Sequence, residues 1–255
     1  MNTPTPKEKN ECGISVKTFK LYLDLGDNGA CNAHVLELLG ANVLARNKQR
    51  AIEKVKLEIP EYIQWLRKFD EQQELPTDKF DIEVVEVVHG TDPWNAGGAN
   101  ALFGPDKVPP TSRQIRIYLK RMEYSRKYLL SIVNDLSKSV LSNEYENEPR
   151  SIENTLKHIA DVEWWYLSRM STDPEIDLKE FTNVFDRLKY MRNYAKESLS
   201  NISLDDLKRI NIPNRYTSKQ QVQLKETWTW HKVFRRFLEH ERLHTRYIER
   251  ILRTY

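Results

Sequence analysis

Residues 228–253, WTWHKVFRRFLEHERLHTRYIERILR, form the pattern of one long amphipathic helix. At about 100° per residue, its apolar and charged side chains separate to opposite sides of the axis, and the apolar side should face a core. We expect the charged side and His231 to be at the protein surface, with ion pairs between side chains one turn apart. The charged side comprises Lys232, Arg235, Arg236, Glu239, Arg242, Arg246, Glu249 and Arg250.

Three polar residues interrupt the apolar side of this helix: His240, Glu241 and His244. Burial of such groups without partners costs a few kcal/mol each, so something must satisfy them. Histidines four residues apart share a helix face and can both direct a ring nitrogen at a metal ion about 2.0 to 2.1 Å away. For two histidines at this spacing alone, core histidines that bond to neighbouring polar groups are the more common explanation.

The pentapeptide HERLH, residues 240–244, also fits the H-E-x-x-H pattern of zinc peptidases. In those enzymes the third ligand follows the motif, but only eleven residues follow His244. Their one acidic residue, Glu249, lies on the charged side, and no strand is predicted in this half to bind an extended peptide. The pattern therefore disfavours a peptidase, and a third ligand should be sought upstream.

The upstream candidate lies in SIENTLKHIADVEWWYLSRM, residues 151–170. Ser151 is a suitable N-cap for a helix in which His158 lies at the flank of the apolar face. Glu163 falls near the middle of that face and needs a buried partner. In a bundle, a flank position on one helix can converge with a core position on another.

The chain divides by pattern into two parts joined by a linker. Residues 91–110 are rich in glycine and proline and carry no periodicity, which is typical of a linker. Helical spacing then dominates residues 111–255, with long helices predicted at 112–141, 151–170, 178–199 and 225–253. This part should be an all-α four-helix bundle.

Residues 1–90 predict a small β-β-α-β domain, so that the fold class is α+β. Apolar and polar residues alternate over 14–25, the turn-prone GDNGA follows at 26–30, and a second apolar stretch covers 33–40. Helical spacing over 48–69 is interrupted by Pro60, which requires a kink or a break. Residues 81–88, DIEVVEVV, predict a strand. The order of strand, glycine turn, strand, Leu38-Leu39-Gly40 corner and long helix resembles the HicB-like antitoxin domain.

The second part resembles the DinB family, also called the DinB/YfiT-like metalloenzymes. LKHIADVEWWYL at 156–167 and FLEHERLHTRYI at 237–248 match its pattern of one histidine on the second helix and two on the last. The resemblance implies a divalent transition metal, zinc or nickel, held by His158, His240 and His244 with a position open to water or substrate. It also implies a small-molecule substrate, with a low-molecular-weight thiol among the candidates, and bundles that pair as homodimers.

We therefore expect a metal-dependent enzyme of the hydrolase or thiol-transferase type. The catalytic candidates are Glu163 and Glu241, which could accept a proton or orient a ligand histidine. The alternative is a non-catalytic ligand-binding or interaction module, with a structural metal or none. We expect the neighbouring tryptophans to pack in the core, although they could also wall a pocket: Trp164, Trp165, Trp228 and Trp230.

Composition argues for a cytoplasmic protein. The 255 residues carry a net charge of +3, and no apolar run is long enough to cross a membrane or to form a leader. Cys12 and Cys31 form no metal or disulfide pattern. Residues 111–255 carry 27 basic and 20 acidic groups, but the interspersed acids of the last helix disfavour nucleic acid as a partner.

Overall fold

The computed structural model describes residues 16–71, 79–91, 93, 101–172, 174–213 and 226–255. Its architecture is α+β, with a small N-terminal sheet followed by a helical region. Parts of the sequence predictions lie outside the described residues: residues 1–15 and 72–78 of the predicted N-terminal domain, including Cys12 and the start of the first predicted strand, residues 92 and 94–100 of the linker, and Lys225 at the start of the last predicted helix.

The N-terminal unit is a four-stranded sheet with one helix. Its elements are β1 (Lys17–Gly26), β2 (Cys31–His34), β3 (Asn42–Ala45), α1 (Lys48–Arg67) and β4 (Phe80–Thr91). The strand order is β3-β2-β1-β4, in which β1 pairs antiparallel with β2 and parallel with β4. The sequence prediction missed β3, because the apolar stretch at 33–40 suggested one strand where the chain instead leaves β2, turns and pairs back.

The turn between β2 and β3 depends on a contact with α1. A short 3-10 turn at Leu36–Leu38 leads to Gly40, whose φ of +107° is unfavourable for other residues. The Tyr62 hydroxyl of α1 donates a hydrogen bond of 2.7 Å to the carbonyl of Leu39, and a Cβ at Gly40 would collide with that ring. The helix that supplies Tyr62 continues without a break through Pro60.

Within its described residues, the helical region contains four long α-helices and one short one. They are α2 (Ser112–Val133), α3 (Lys138–Ser142), α4 (Ile152–Ser168), α5 (Val184–Ser200) and α6 (Trp230–Thr254). The predicted helix at 112–141 is thus two helices, separated at residues 134–137. Ser151 caps α4 as predicted, since its hydroxyl accepts a hydrogen bond of 3.1 Å from the Asn154 amide. The long helices α2, α4, α5 and α6 pack around one apolar core.

Most of the charged side of α6, from Lys232 to Arg242, is buried, which contradicts the surface position predicted from its pattern; Arg250 is exposed as predicted. Lys232 and Arg235 are both 0% exposed, and Glu239 is 2% exposed. His231 is buried as well: its Nδ1 lies 2.9 Å from the Val108 carbonyl and its Nε2 lies 3.1 Å from the Tyr118 hydroxyl. Periodicity shows that two sides of a helix differ, but it does not show what covers the polar one.

Two parts of the chain cover this side of α6. Asp106, in the segment before α2, binds Arg235 through both carboxylate oxygens at 3.1 and 2.9 Å. The N-terminal unit supplies His34 of β2, whose Nδ1 lies 2.7 Å from the Glu239 carboxylate. It also supplies Glu58 of α1, 3.2 Å from Arg242. The junction between the two parts is therefore built largely of buried ion pairs.

Among the described residues, no helix combines the length and apolar character required to cross a lipid bilayer.

The buried pair of Asp106 and Arg235 should be a large contributor to stability. Asp106→Ala leaves the Arg235 charge without its bidentate partner, and we expect the free energy of unfolding to fall by about 3 to 5 kcal/mol. Chemical denaturation measures this loss. Asp205→Ala is the control, because the Asp205 side chain is 99% exposed and its pairing with Lys208 should contribute little. Equal effects of the two substitutions would contradict the assignment.

Candidate metal centre

Three histidines from two helices come together at one point. His158 lies on α4, and His240 and His244 lie one turn apart on α6. The Nε2 atom of His240 is 3.2 Å from that of His158 and 3.1 Å from that of His244. One ring nitrogen of each histidine lies within 4.8 Å of the other two. The sequence-predicted set is therefore brought together by the packing of α4 against α6.

Neighbouring aromatic rings hold the central histidine. The Tyr166 ring, about two turns after His158 on α4, meets the His240 ring edge to face at 5.9 Å between centroids. Tyr166 is 0% exposed and also packs against Phe237. Because His240 itself is buried, its ring has little room to turn away from the other two.

The three histidines are better placed to bind a divalent metal than to hydrogen-bond to one another. The central nitrogen, Nε2 of His240, faces two other nitrogens, yet it has either one proton or one lone pair to offer. It cannot make two good hydrogen bonds in the ring plane. In a tetrahedral site with metal–nitrogen bonds of about 2.0 to 2.1 Å, neighbouring ligand nitrogens lie about 3.3 to 3.4 Å apart. The observed spacings of 3.1 and 3.2 Å are close to that value.

The environment keeps the three imidazoles neutral, which is the state that binds metal. Burial, with the nearby charge of Arg150, lowers the pKa of His158 to about 4 and that of His244 to about 3. Burial also lowers the pKa of His240 well below its usual value, and the two neighbouring histidines add to this effect. All three are available as ligands at neutral pH.

Glu163 and Glu241, predicted as catalytic residues, lie in a buried ring of charges. Arg126 donates to Glu163 at 2.9 Å and to Glu241 at 2.6 Å. Arg192 also binds both carboxylates, at 2.7 Å to Glu241. Burial alone raises the pKa of Glu241, but the two arginines outweigh it and hold that pKa below its usual value. The need for buried partners, inferred from the sequence, is met by arginines.

The histidine cluster opens into a large cavity. This cavity has a volume of about 1290 Å³ and is open to solvent. Trp164 and Trp165 line it, whereas Trp228 and Trp230 are buried in the core, so the tryptophans divide between the two predicted roles. Neither Glu163 nor Glu241 is among the residues that line the cavity.

Sequence reasoning missed several residues of this cavity. Arg236 of α6 lines it, although the charged side of that helix was expected in solvent. Asn32 and Asn42 line it from the N-terminal sheet. No sequence signal marked these asparagines, because an asparagine in a short strand has no periodicity of its own and β3 was not predicted.

The fold and the cluster together define a helical protein with a buried three-histidine group facing a cavity. A family model described as the DinB superfamily matches residues 121–248, about half of the chain. The chain belongs to the DinB superfamily. No curated protein and no solved structure matches it.

The lowered histidine pKa values predict a pH-dependent stability of the metal-free protein. Since the pKa of His158 is about 4 when folded and about 6.5 when unfolded, the unfolded state binds the proton first as the pH falls. The contribution of neutral His158 to the free energy of unfolding is fully present above about pH 6.5. Below that pH it decreases by at most about 1.4 kcal/mol per pH unit, since solvent screens the partly exposed ring, until the pKa of the folded state is reached. Chemical denaturation in the presence of a chelator measures the free energy of unfolding at pH 7 and at pH 5. Its decrease between the two pH values should be smaller for His158→Asn than for the wild type.

A matched control is His89→Asn, which replaces an exposed histidine and should keep the wild-type difference between pH 7 and pH 5. Identical differences in wild type and His158→Asn would show that His158 is not held neutral by its surroundings.

Proposed function

We propose that this protein is a metal-dependent enzyme of the hydrolase or thiol-transferase type, with His158, His240 and His244 as the ligands of a divalent zinc or nickel ion. The observation that carries the proposal is the convergence of three neutral Nε2 atoms on one point beside an open cavity. Membership of the DinB superfamily supports a metal at this position.

The surroundings of the cluster favour a catalytic site over a closed structural one. Structural zinc sites take four protein ligands, whereas catalytic sites keep a position for water or substrate. In the described part of the chain, the group of possible ligands contains three histidines and no carboxylate. Glu163 and Glu241, which could otherwise supply a fourth ligand, are ion-paired with Arg126 and Arg192.

Each element of the site has a distinct part in such a reaction. A divalent metal would supply Lewis acidity, which polarises carbonyl groups and activates water or thiols. The histidines bind and orient it, and the rings of Trp164 and Trp165 provide an apolar wall that limits water around a substrate. The cavity volume of about 1290 Å³ suits a small molecule together with a low-molecular-weight thiol.

We propose positioning roles for Glu163 and Glu241. Both carboxylates hold arginines from other helices, and Glu241 directly follows the ligand His240 in sequence. Neither lines the cavity, so any role in proton transfer would pass through another group; Glu163 has one unpaired oxygen, since its Oε2 has no hydrogen-bond partner within the described residues. Both oxygens of Glu241 accept hydrogen bonds from arginine.

The finer architecture is part of the same proposal. We assign residues 111–255 to a DinB-like four-helix bundle, supported by the shared core of α2, α4, α5 and α6. We assign residues 1–90 to a HicB-like unit, supported by the order of strand, turn, corner and helix. A cytoplasmic location agrees with the free, buried thiol of Cys31, and a homodimer remains our expectation for the assembly.

Metal content tests the site directly. We expect elemental analysis of the purified, tag-free protein to find about one transition-metal ion per chain, and His158→Ala and His240→Ala each to lose it. The control is His89→Ala, an exposed substitution that should keep the ion. Circular dichroism should show that the variants remain folded. A folded wild type that takes up neither zinc nor nickel would overturn the proposal and favour the non-catalytic module.

A further inference from the structure

The N-terminal sheet forms part of the wall of the cavity. In the pairing of β2 with β3, Asn32 lies opposite Leu44 and His34 lies opposite Asn42. Because side chains alternate along strands, these four point to the same face of the sheet, away from the core shared with α1. The Asn42 side chain donates a hydrogen bond of 3.1 Å to that of Asn32, which fixes two amide groups side by side.

A buried cation lines the same cavity as this pair of amides. Arg236 of α6 is only 7% exposed and lines the cavity, yet its Nε has no hydrogen-bond partner within the described residues. Its guanidinium lies 3.6 Å from the Glu239 carboxylate, which itself lies 2.7 Å from His34 on β2. Through Glu239, Arg236 is therefore placed beside the strand that carries Asn32.

The hydrogen-bonding capacity of Arg236 is only partly used. Its carboxylate partner, Glu239, also accepts from His34, whereas Arg235 is bound mainly by Asp106. The Arg236 guanidinium lies 5.7 Å from the centroid of the Tyr166 ring, and its Nε–H has no hydrogen-bond acceptor within the described residues. A buried charge and an unused donor are costly to maintain without a partner. Arg236 also lies one turn before His240 on α6, so the cation and the histidine cluster lie along the same side of that helix.

An aromatic surface lies near His158 on α4, on a different wall of the cavity. Trp164 and Trp165 present ring surface to the cavity, and both are only partly buried. Trp164 is held in place by a hydrogen bond of 3.4 Å from its Nε1 to the Pro174 carbonyl. The cavity therefore offers a polar, cationic wall and an aromatic wall, with the histidine cluster as a third element.

We propose that Arg236, Asn32 and Asn42 form the binding subsite for the carboxylate group of a small organic acid whose apolar body packs against Trp164 and Trp165. This inference deepens the proposed function and rests on the same cavity. It makes the N-terminal sheet a specificity element of the site and assigns the substrate class to apolar carboxylic acids.

The donor set favours a carboxylate over a phosphate. A guanidinium presents N–H groups in a planar fork that matches the two oxygens of a carboxylate. The asparagines add neutral donors and no further charge. A single guanidinium with an unused N–H suits a monoanion, whereas a phosphate dianion usually requires a cluster of cations or a helix N-terminus.

Calorimetry with matched pairs of acids and amides tests the subsite. The probes are benzoate, phenylacetate and 3-phenylpropionate, each beside its uncharged amide, titrated into the metal-free full-length protein in chelator. We expect at least one acid to bind about tenfold or more tightly than its amide, since a charge-assisted pair is worth about 1.5 to 3 kcal/mol. Arg236→Gln and the isosteric Asn42→Asp should each abolish this preference.

The control variant is Arg250→Gln, which changes a cavity residue whose side chain is 58% exposed and paired with Glu148. It should retain the preference for the acid. Asn42→Asp preserves side-chain size at a half-buried position, so that it keeps the test valid if Arg236→Gln does not fold. Equal binding of acids and amides by the wild type, no binding of any acid up to about 10 mM, or an unchanged preference in Asn42→Asp would overturn the inference.

The metal-free titration separates this inference from the proposed function. If the protein takes up no metal but still prefers acids through Arg236 and Asn42, the subsite stands and the chain is a ligand-binding protein. If metal binds and the preference is absent, the metal centre stands and the carboxylate assignment fails.

Discussion

Four charged residues, one from each long helix, form the contact on which the helical region depends. Arg126 of α2 and Arg192 of α5 each bind both Glu163 of α4 and Glu241 of α6, and all four side chains are buried. Each arginine also donates to a carbonyl of the other's helix, at Leu188 and Met122. Removal of any one member leaves buried charge without its partner, which typically costs about 3 to 5 kcal/mol. The ring thereby fixes α4 relative to α6, and this spacing brings His158 to His240 and His244.

Much of this arrangement could be inferred from residue patterns. The amphipathic period of α6 identified which side meets the core, and it made His240, Glu241 and His244 conspicuous because polar groups there need partners. The N-cap at Ser151 set the start of α4 and hence the phase of His158. The same period could not distinguish a metal ligand from an ion-paired carboxylate. Both are polar residues on an apolar face, and the partners, Arg126 and Arg192, lie far away in sequence.

The failures have a common physical cause, which is long-range contact. The strand β3 is only four residues long and exists because β2 offers it a pairing edge. The charged side of α6 looks solvated until His34, Glu58 and Asp106 are placed against it. For the same reason, the sequence did not predict that Asn32 and Asn42 line the cavity. Local propensity predicts the structure that a segment forms alone, whereas these features depend on contacts with segments that are distant in sequence.

The ion-paired seam along α6 determines what would happen if the two parts of the chain separated. Each part has its own apolar core, one beneath the sheet and one among the long helices. The seam between them contains buried arginine, glutamate, aspartate and histidine side chains. Opening along the seam would therefore expose charged groups that water solvates well, while both apolar cores stay covered.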